Sequence, residues 1–264
     1  MDVLVDFFAR LGRPVYGVVT WLGDFIFFSG QTFLWMLRPP FRVQLIFKEL
    51  EKIGVRSTVI IVLVALFAGM VFALQTGSAF RLFNAETLVG STVGIALTRE
   101  LAPVFTALMI VARAGSGMAA EIGTMKVTEQ VDALRALAIN PIQYLVVPRV
   151  IATSVMVPLL TAVFNGVGLW GSYMVAVHLL QIPEGAYLER FRYLVDPEDV
   201  YQGLIKAFIF GILVSLIACY MGYKTEKGAQ GVGRGTTLAV VWGSVTILIL
   251  DYFLSTWLLQ IFPD

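Results

Sequence analysis

Charged residues disappear from this chain over long intervals. Ser57 to Phe80 holds no Asp, Glu, Lys or Arg, and neither does Val150 to Pro183. Thr87 to Ala112 is broken only by Arg99 and Glu100, Val200 to Tyr223 only by Lys206, and Gly235 to Pro263 only by Asp251. A helix crossing a bilayer needs about 20 predominantly apolar residues, so each interval predicts a membrane helix. Val150 to Pro183 is longer than one crossing requires, so part of it extends past the lipid or tilts. A sixth stretch, Pro14 to Leu37, is broken by Asp24 and carries Tyr16, Thr20, Ser29 and Gln31 without a clean face. It either spans or lies flat at the interface as an amphipathic anchor.

Composition agrees with a lipid environment: 58% of residues are hydrophobic and 14% charged, where a soluble domain carries about 25% charged residues. The net charge of +1 says nothing about nucleic acid, and no basic tract suggests it, so no nucleic-acid partner is expected. Cys219 stands alone in an apolar run, which rules out a disulfide framework and predicts a small packing residue. The first residues carry Asp2, Asp6, Arg10 and Arg13 with no small-residue cleavage site after a short apolar core, so no cleavable signal peptide is expected.

Lysine and arginine placement orients the helices. With the segment before Ser57 in the cytoplasm, the inner segments hold Arg38, Arg42, Lys48, Lys52 and Arg56, then Arg113, Lys126, Arg135 and Arg149, then Lys224, Lys227 and Arg234. The outer segments hold only Arg81, Arg190 and Arg192. The longest stretches outside the membrane are then a cytoplasmic one near 113–149 and an outer, acidic one near 184–199. Small residues at four-residue spacing, Gly90 with Gly94 and Ala65 with Gly69 and Ala73, let helix backbones approach closely. Packing within one subunit is the simpler reading of both sets, a dimer face the other.

The catalytic inventory is thin. His178 is the single histidine, and an isolated histidine without a positioned partner reads as structural. H-E-x-x-H, C-x-x-C and G-x-S-x-G are all absent, and so is any Gly-Lys dipeptide, which excludes a Walker A phosphate loop. No catalytic residue, metal site or cofactor is assigned to this chain. If ATP drives its work, another subunit hydrolyses it.

Arg99, Glu100, Lys206 and Asp251 lie within apolar spans, where an Arg, Lys or Asp costs about 2.5–3.5 kcal/mol on insertion scales. Two are positive and two negative, so they can pair and tie three spans together. The alternative is a polar element beside a substrate path or moving joint. On the cytoplasmic side, Glu121, Lys126, Glu129, Asp132 and Arg135 recur at spacings of three to five, with Met118, Ile122, Met125, Leu134 and Leu137 between them. That pattern predicts an amphipathic helix or helix pair over about 117–139, ended by Asn140-Pro141. It rests on its own bundle, or it docks in a groove of a soluble partner.

Two resemblances bear on the choice. E-Q-V-D-A-L-R-A-L-A-I-N-P from Glu129, followed by V-V-P-R from Val146, resembles the coupling loop of ABC importer permeases, although the usual glycine is missing. T-R-E-L-A-P-V-F-T-A-L from Thr98, A-R-A-G-S-G-M-A-A-E-I-G-T-M-K-V-T-E-Q-V-D-A-L from Ala112, G-M-V-F-A-L-Q from Gly69 and N-A-E-T from Asn84 closely resemble the MlaE (YrbE) family of permeases. This resemblance covers nearly the whole chain and includes the positions of Lys206 and Asp251.

The resemblance implies an all-α integral membrane fold of the MlaE ABC permease type, with an N-terminal interfacial helix and five transmembrane helices, working as a homodimer. It favours the interfacial reading of Pro14 to Leu37. The chain is then a single permease domain over 1–264, with an N-terminal cytoplasmic and interfacial region over 1–56 and a transmembrane bundle over 57–264. Implied partners are two copies of an ABC ATPase, which binds ATP and Mg, a second copy of the chain, a periplasmic Mce-domain protein and a phospholipid or related lipid. The implied location is the inner membrane. Phe72, Leu74, Gln75 and Phe83 would line a lipid cavity between subunits, although Gln75 also suits plain helix packing. Arg99, Glu100, Lys206 and Asp251 would meet a headgroup or latch helices, and the stretch from Glu121 to Arg135 would couple to the ATPase. The rival functions are an ion-coupled secondary transporter and a membrane anchor for an outer assembly.

Overall fold

The computed structural model describes residues 2–226 and 228–262, without the side chains of residues 2–15, 17 and 18. Lys227, counted above among the inner cations, lies outside the described residues. The described residues form eight helices and no strand. These are α1 (Asp2–Met36), α2 (Val43–Arg81), α3 (Glu86–Val127), α4 (Gln130–Ala136), α5 (Ile142–Leu179), α6 (Glu184–Leu194), α7 (Pro197–Tyr223) and α8 (Gly228–Ile261). The helices α2, α3, α5, α7 and α8 are long and apolar enough to cross a membrane, and α1 is not among them. The fold is therefore all-α, an N-terminal helix followed by five helices able to cross a membrane.

Except for α7, the membrane helices run beyond the charge-free intervals at their lysine- and arginine-rich ends. α3 has 42 residues, about 63 Å at 1.5 Å per residue, twice a hydrocarbon thickness of about 30 Å. α2 passes through residues 56 and 57 without a break, so that boundary marks where the charges stop and not where a unit ends. Pro183 precedes α6 and lies outside α5. The amphipathic stretch over 117–139 is a helix pair: α3 stops at Val127, Glu129 takes a left-handed φ of 60°, and α4 follows. α4 ends at Ala136, before Asn140-Pro141. Asn140 instead starts α5, its Oδ1 accepting from the Ile142 N–H at 2.9 Å.

Small residues set the packing. Ser57, Ile61, Ala65, Gly69, Ala73 and Gly77 form one buried stripe on α2, which packs on α5. At the crossing a Cβ on Gly69 would stand 2.0 Å from the Gly168 carbonyl oxygen, so only glycine allows this approach. Gly90 and Gly94 pack beneath Tyr187 and Phe191 of α6. Both small-residue sets named from the sequence thus serve contacts within one chain. Cys219 is fully buried in α7, and His178 packs edge-on against Tyr173.

α7 is the innermost span, with 67% of its apolar window buried, against 28% for α2 and 22% for α8. The outer face of α2 carries Val55, Val59, Leu63, Phe67 and Val71, all exposed, and α8 exposes Val245, Leu248, Tyr252 and Phe253. α1 lies against the bundle at the lysine- and arginine-rich end, where Trp21, Phe25 and Phe28 meet Tyr220. Lys224 donates to Asp24 there, and that carboxylate raises the Lys224 ammonium above its usual range.

Candidate transport site and coupling surface

Pro103 shapes the first charged site. It has no N–H, so its turn of α3 cannot close the ordinary 1→5 hydrogen bond. The preceding residues, Leu97–Leu101, form a π-helical turn in which the Ala102 N–H reaches the Leu97 carbonyl. Pro148 follows the same kind of turn over Ile142–Val146. Arg99 and Glu100 both lie in the first turn and take different partners.

Glu100 joins α7 and α8. Lys206 Nζ, 1% exposed as a side chain, stands 2.6 Å from Glu100 Oε2 and 3.3 Å from Asp251 Oδ1. It also donates to Ser255 Oγ at 2.7 Å. The Ser255 hydroxyl lies 2.7 Å from the Asp251 carbonyl and 3.2 Å from Glu100 Oε2. Gly203 makes this reach possible: a Cβ there would meet the Thr98 carbonyl oxygen at 2.1 Å, so glycine brings α7 against α3 one turn before Lys206. Lys206 is nine residues into α7, about 14 Å from its outer end at 1.5 Å per residue.

Arg99 leaves this group and pairs with Asp199, whose side chain is 1% exposed. Asp199 also accepts from the Asp196 N–H through Oδ2 at 2.9 Å, one half of a capping box that starts α7. The four intramembrane charges therefore do not form one balanced set. One cation stands between two carboxylates at Lys206, and Glu100, 43% exposed as a side chain, reaches the surface. Composition counts charges and carries no information on which way each residue of the π-turn points.

At the other end the structure divides the five residues expected to couple to an ATPase. Lys126 stands 3.2 Å from Asp132, and Arg135 stands 3.0 Å from Asp132 and donates to the Tyr223 hydroxyl. Glu129 is exposed at the turn between α3 and α4. Glu121 belongs elsewhere, accepting from Lys52 and from Arg149 Nη2 at 3.1 Å. Leu74, Gln75 and Phe83 are exposed, and Phe72 is partly buried against the core.

Asp199, Ser255, Glu49, Lys52 and Arg149 complete these clusters; the sequence offered Lys52 and Arg149 only as cations of the inner segments and did not single out the other three. Only Asp199 had a local signal, in D-P-E-D at the start of a long apolar run. Among the described residues no group of three or more His, Cys, Asp or Glu is placed to hold a metal ion.

A bundle of five helices able to cross a membrane, with ion pairs across three of them and a charged helix pair beyond one end, defines a multi-pass membrane protein. A family model described as Permease MlaE matches residues 46–257. A probable ABC transporter permease protein of Rickettsia felis is 42% identical over 253 residues, covering 96% of this chain and 98% of that protein. The intermembrane phospholipid transport system permease protein MlaE of Haemophilus influenzae is 36% identical over 256 residues, covering 96% of this chain and 97% of its own. The chloroplast protein trigalactosyldiacylglycerol 1 of Arabidopsis thaliana is 36% identical over 232 residues, covering 88% of this chain and 66% of its own. The chain belongs to the MlaE permease family and is an ABC transporter permease.

Proposed function

We propose that this chain is the inner-membrane subunit of a transporter moving phospholipid, or a related lipid, to or from a periplasmic Mce-domain protein. Two copies form the membrane unit, and two ATPase subunits bind ATP and Mg and supply the energy. The observation that carries this reading is the continuity of α3. One helix holds Glu100 at the ion-paired joint and Lys126 at the coupling surface, 26 residues or about 39 Å apart. A displacement at the coupling end therefore reaches the joint through a single element, with π-turns at Leu97–Leu101 and Val111–Gly115 where it can bend.

In this reading the second copy turns the exposed surface at Phe72, Leu74, Gln75 and Phe83 into the wall of an acyl-chain cavity. Glu100, reaching the surface above the buried Lys206, meets a headgroup or releases its latch as α3 moves. Glu129, Asp132 and Arg135 enter the ATPase groove, while Lys126 and the Tyr223 hydroxyl brace them. Glu121 holds α3 to α2 and α5 and does not itself touch the ATPase.

Co-purification of the tagged chain from its native membrane tests the proposal. The expected result is a stoichiometric P-loop subunit with ATPase activity, lost on Glu129→Lys with Asp132→Lys while the permease stays folded. Recovery of a stable, transport-active chain without an ATPase would replace the reading with an ion-coupled transporter.

A further inference from the structure

The cluster around Glu121 contains a cation that the mechanism above does not use. Three cations and two carboxylates meet there. Glu121 takes Lys52 and Arg149, and Glu49 Oε1 stands 3.4 Å from Arg149 Nε. Arg113 is the surplus charge, with no carboxylate partner among the described residues. Its Nη1 donates to Ser57 Oγ at 2.8 Å and to the Lys52 carbonyl at 3.2 Å, so the guanidinium is held in place by α2.

Beside it lies a cavity of about 140 Å³ lined by Glu49, Lys52, Arg113, Gly117 and Met118, among others. A space of this size holds several water molecules at about 10–15 Å³ each, and so admits a group as small as a phosphoryl. Glu49 Oε2 is buried without a hydrogen-bond partner. At Gly117 a Cβ would meet nothing within 4 Å, so the absent side chain leaves the cavity open. The depth is also suitable. Ser57 is the first residue of the charge-free interval on α2, and Arg113 is bound to it, at the edge of the hydrocarbon where lipid phosphates lie. Basic pockets between membrane helices at this level accept lipid headgroups.

We infer that this cavity binds the phosphoryl group of a phospholipid in the leaflet at the lysine- and arginine-rich end. Arg113 and Lys52 hold the phosphate, and Glu49 Oε2 accepts a hydrogen bond from an N–H or O–H of the head. Ethanolamine and glycerol heads supply such a donor; choline does not. The site is separate from the Lys206 joint and does not depend on lipid being the cargo.

Native mass spectrometry of the full-length chain, titrated with defined lipids in detergent, tests the inference. Phosphatidylethanolamine is expected to bind about tenfold more tightly than phosphatidylcholine, because a charge-assisted hydrogen bond is gained. Glu49→Gln should erase that preference. Arg113→Gln should weaken both lipids, and Arg113→Lys should partly restore them. Gly117→Leu fills the cavity, keeps every charge and favours helix, so it should lose the lipid without losing the fold. Undiminished lipid binding by a folded Gly117→Leu chain would overturn the site. Full displacement of the lipid by millimolar inorganic phosphate would overturn its assignment to lipid in favour of the free ion. A chain that binds lipid here yet transfers none would sink the transport reading and leave this site standing.

Discussion

Lys206 is the residue whose loss should be felt most. Its ammonium is 1% exposed and faces two carboxylates. Lys206→Ala leaves both without their cation, which should destabilise the bundle by about 3–5 kcal/mol, the usual result of breaking a buried pair from one side. Replacing the group together, as Lys206→Met with Glu100→Gln and Asp251→Asn, should restore most of that stability in a thermal unfolding assay. The same variants separate a structural joint from a working one. If the ion pairs only hold helices, the neutral triple variant and Glu100→Ala transfer lipid normally in the reconstituted complex. The proposed mechanism expects both to be impaired while the complex stays assembled.

Among the elements, α2 and α5 depend on the backbone contact at Gly69 and Gly168. A Cβ 2.0 Å from a carbonyl oxygen cannot be absorbed by turning a side chain. Gly69→Val should therefore part the two helices and cost about 1–3 kcal/mol, as overpacking does. It should be read as reduced thermal stability, with Gly166→Ala, which meets nothing within 4 Å, as the neutral control. α3 behaves differently. It is a single helix of 42 residues, yet its two π-turns place Arg99, Glu100 and Arg113 at irregular points along it. Pro103 announces the first of these turns in the sequence. The second, over Val111–Gly115, has no proline after it and no such signal.

For the molecule as a whole, α2 and α8 present open apolar faces. Val71 is 53% exposed and Leu248 56% exposed. Both are apolar residues on membrane helices, so lipid or a second copy covers them. With single cysteines at Val71 or Leu248, and Cys219 buried beyond reach, bismaleimide treatment of native membranes should link two copies through at least one face. Monomer alone from both positions would count against the homodimer.

The amino-acid sequence by itself determined the membrane class, five of the crossings and the end at which most cations gather, and left Pro14 to Leu37 open as a sixth. These follow from one-dimensional quantities: the length of charge-free runs and the placement of Lys and Arg. It also made the family legible, because T-R-E-L-A-P and the stretch from Ala112 to Leu137 are continuous motifs. Pairings among distant residues were not legible. Arg99 and Glu100 are neighbours in the chain, yet one meets Asp199 and the other Lys206, 106 positions away. Glu121 has the spacing of the coupling face but pairs with Lys52 and Arg149. Only the tertiary structure decided these, because helix crossings at Gly69 and Gly203 set which side chains come within reach, and a charge inside a bundle pairs with whatever the crossing places beside it.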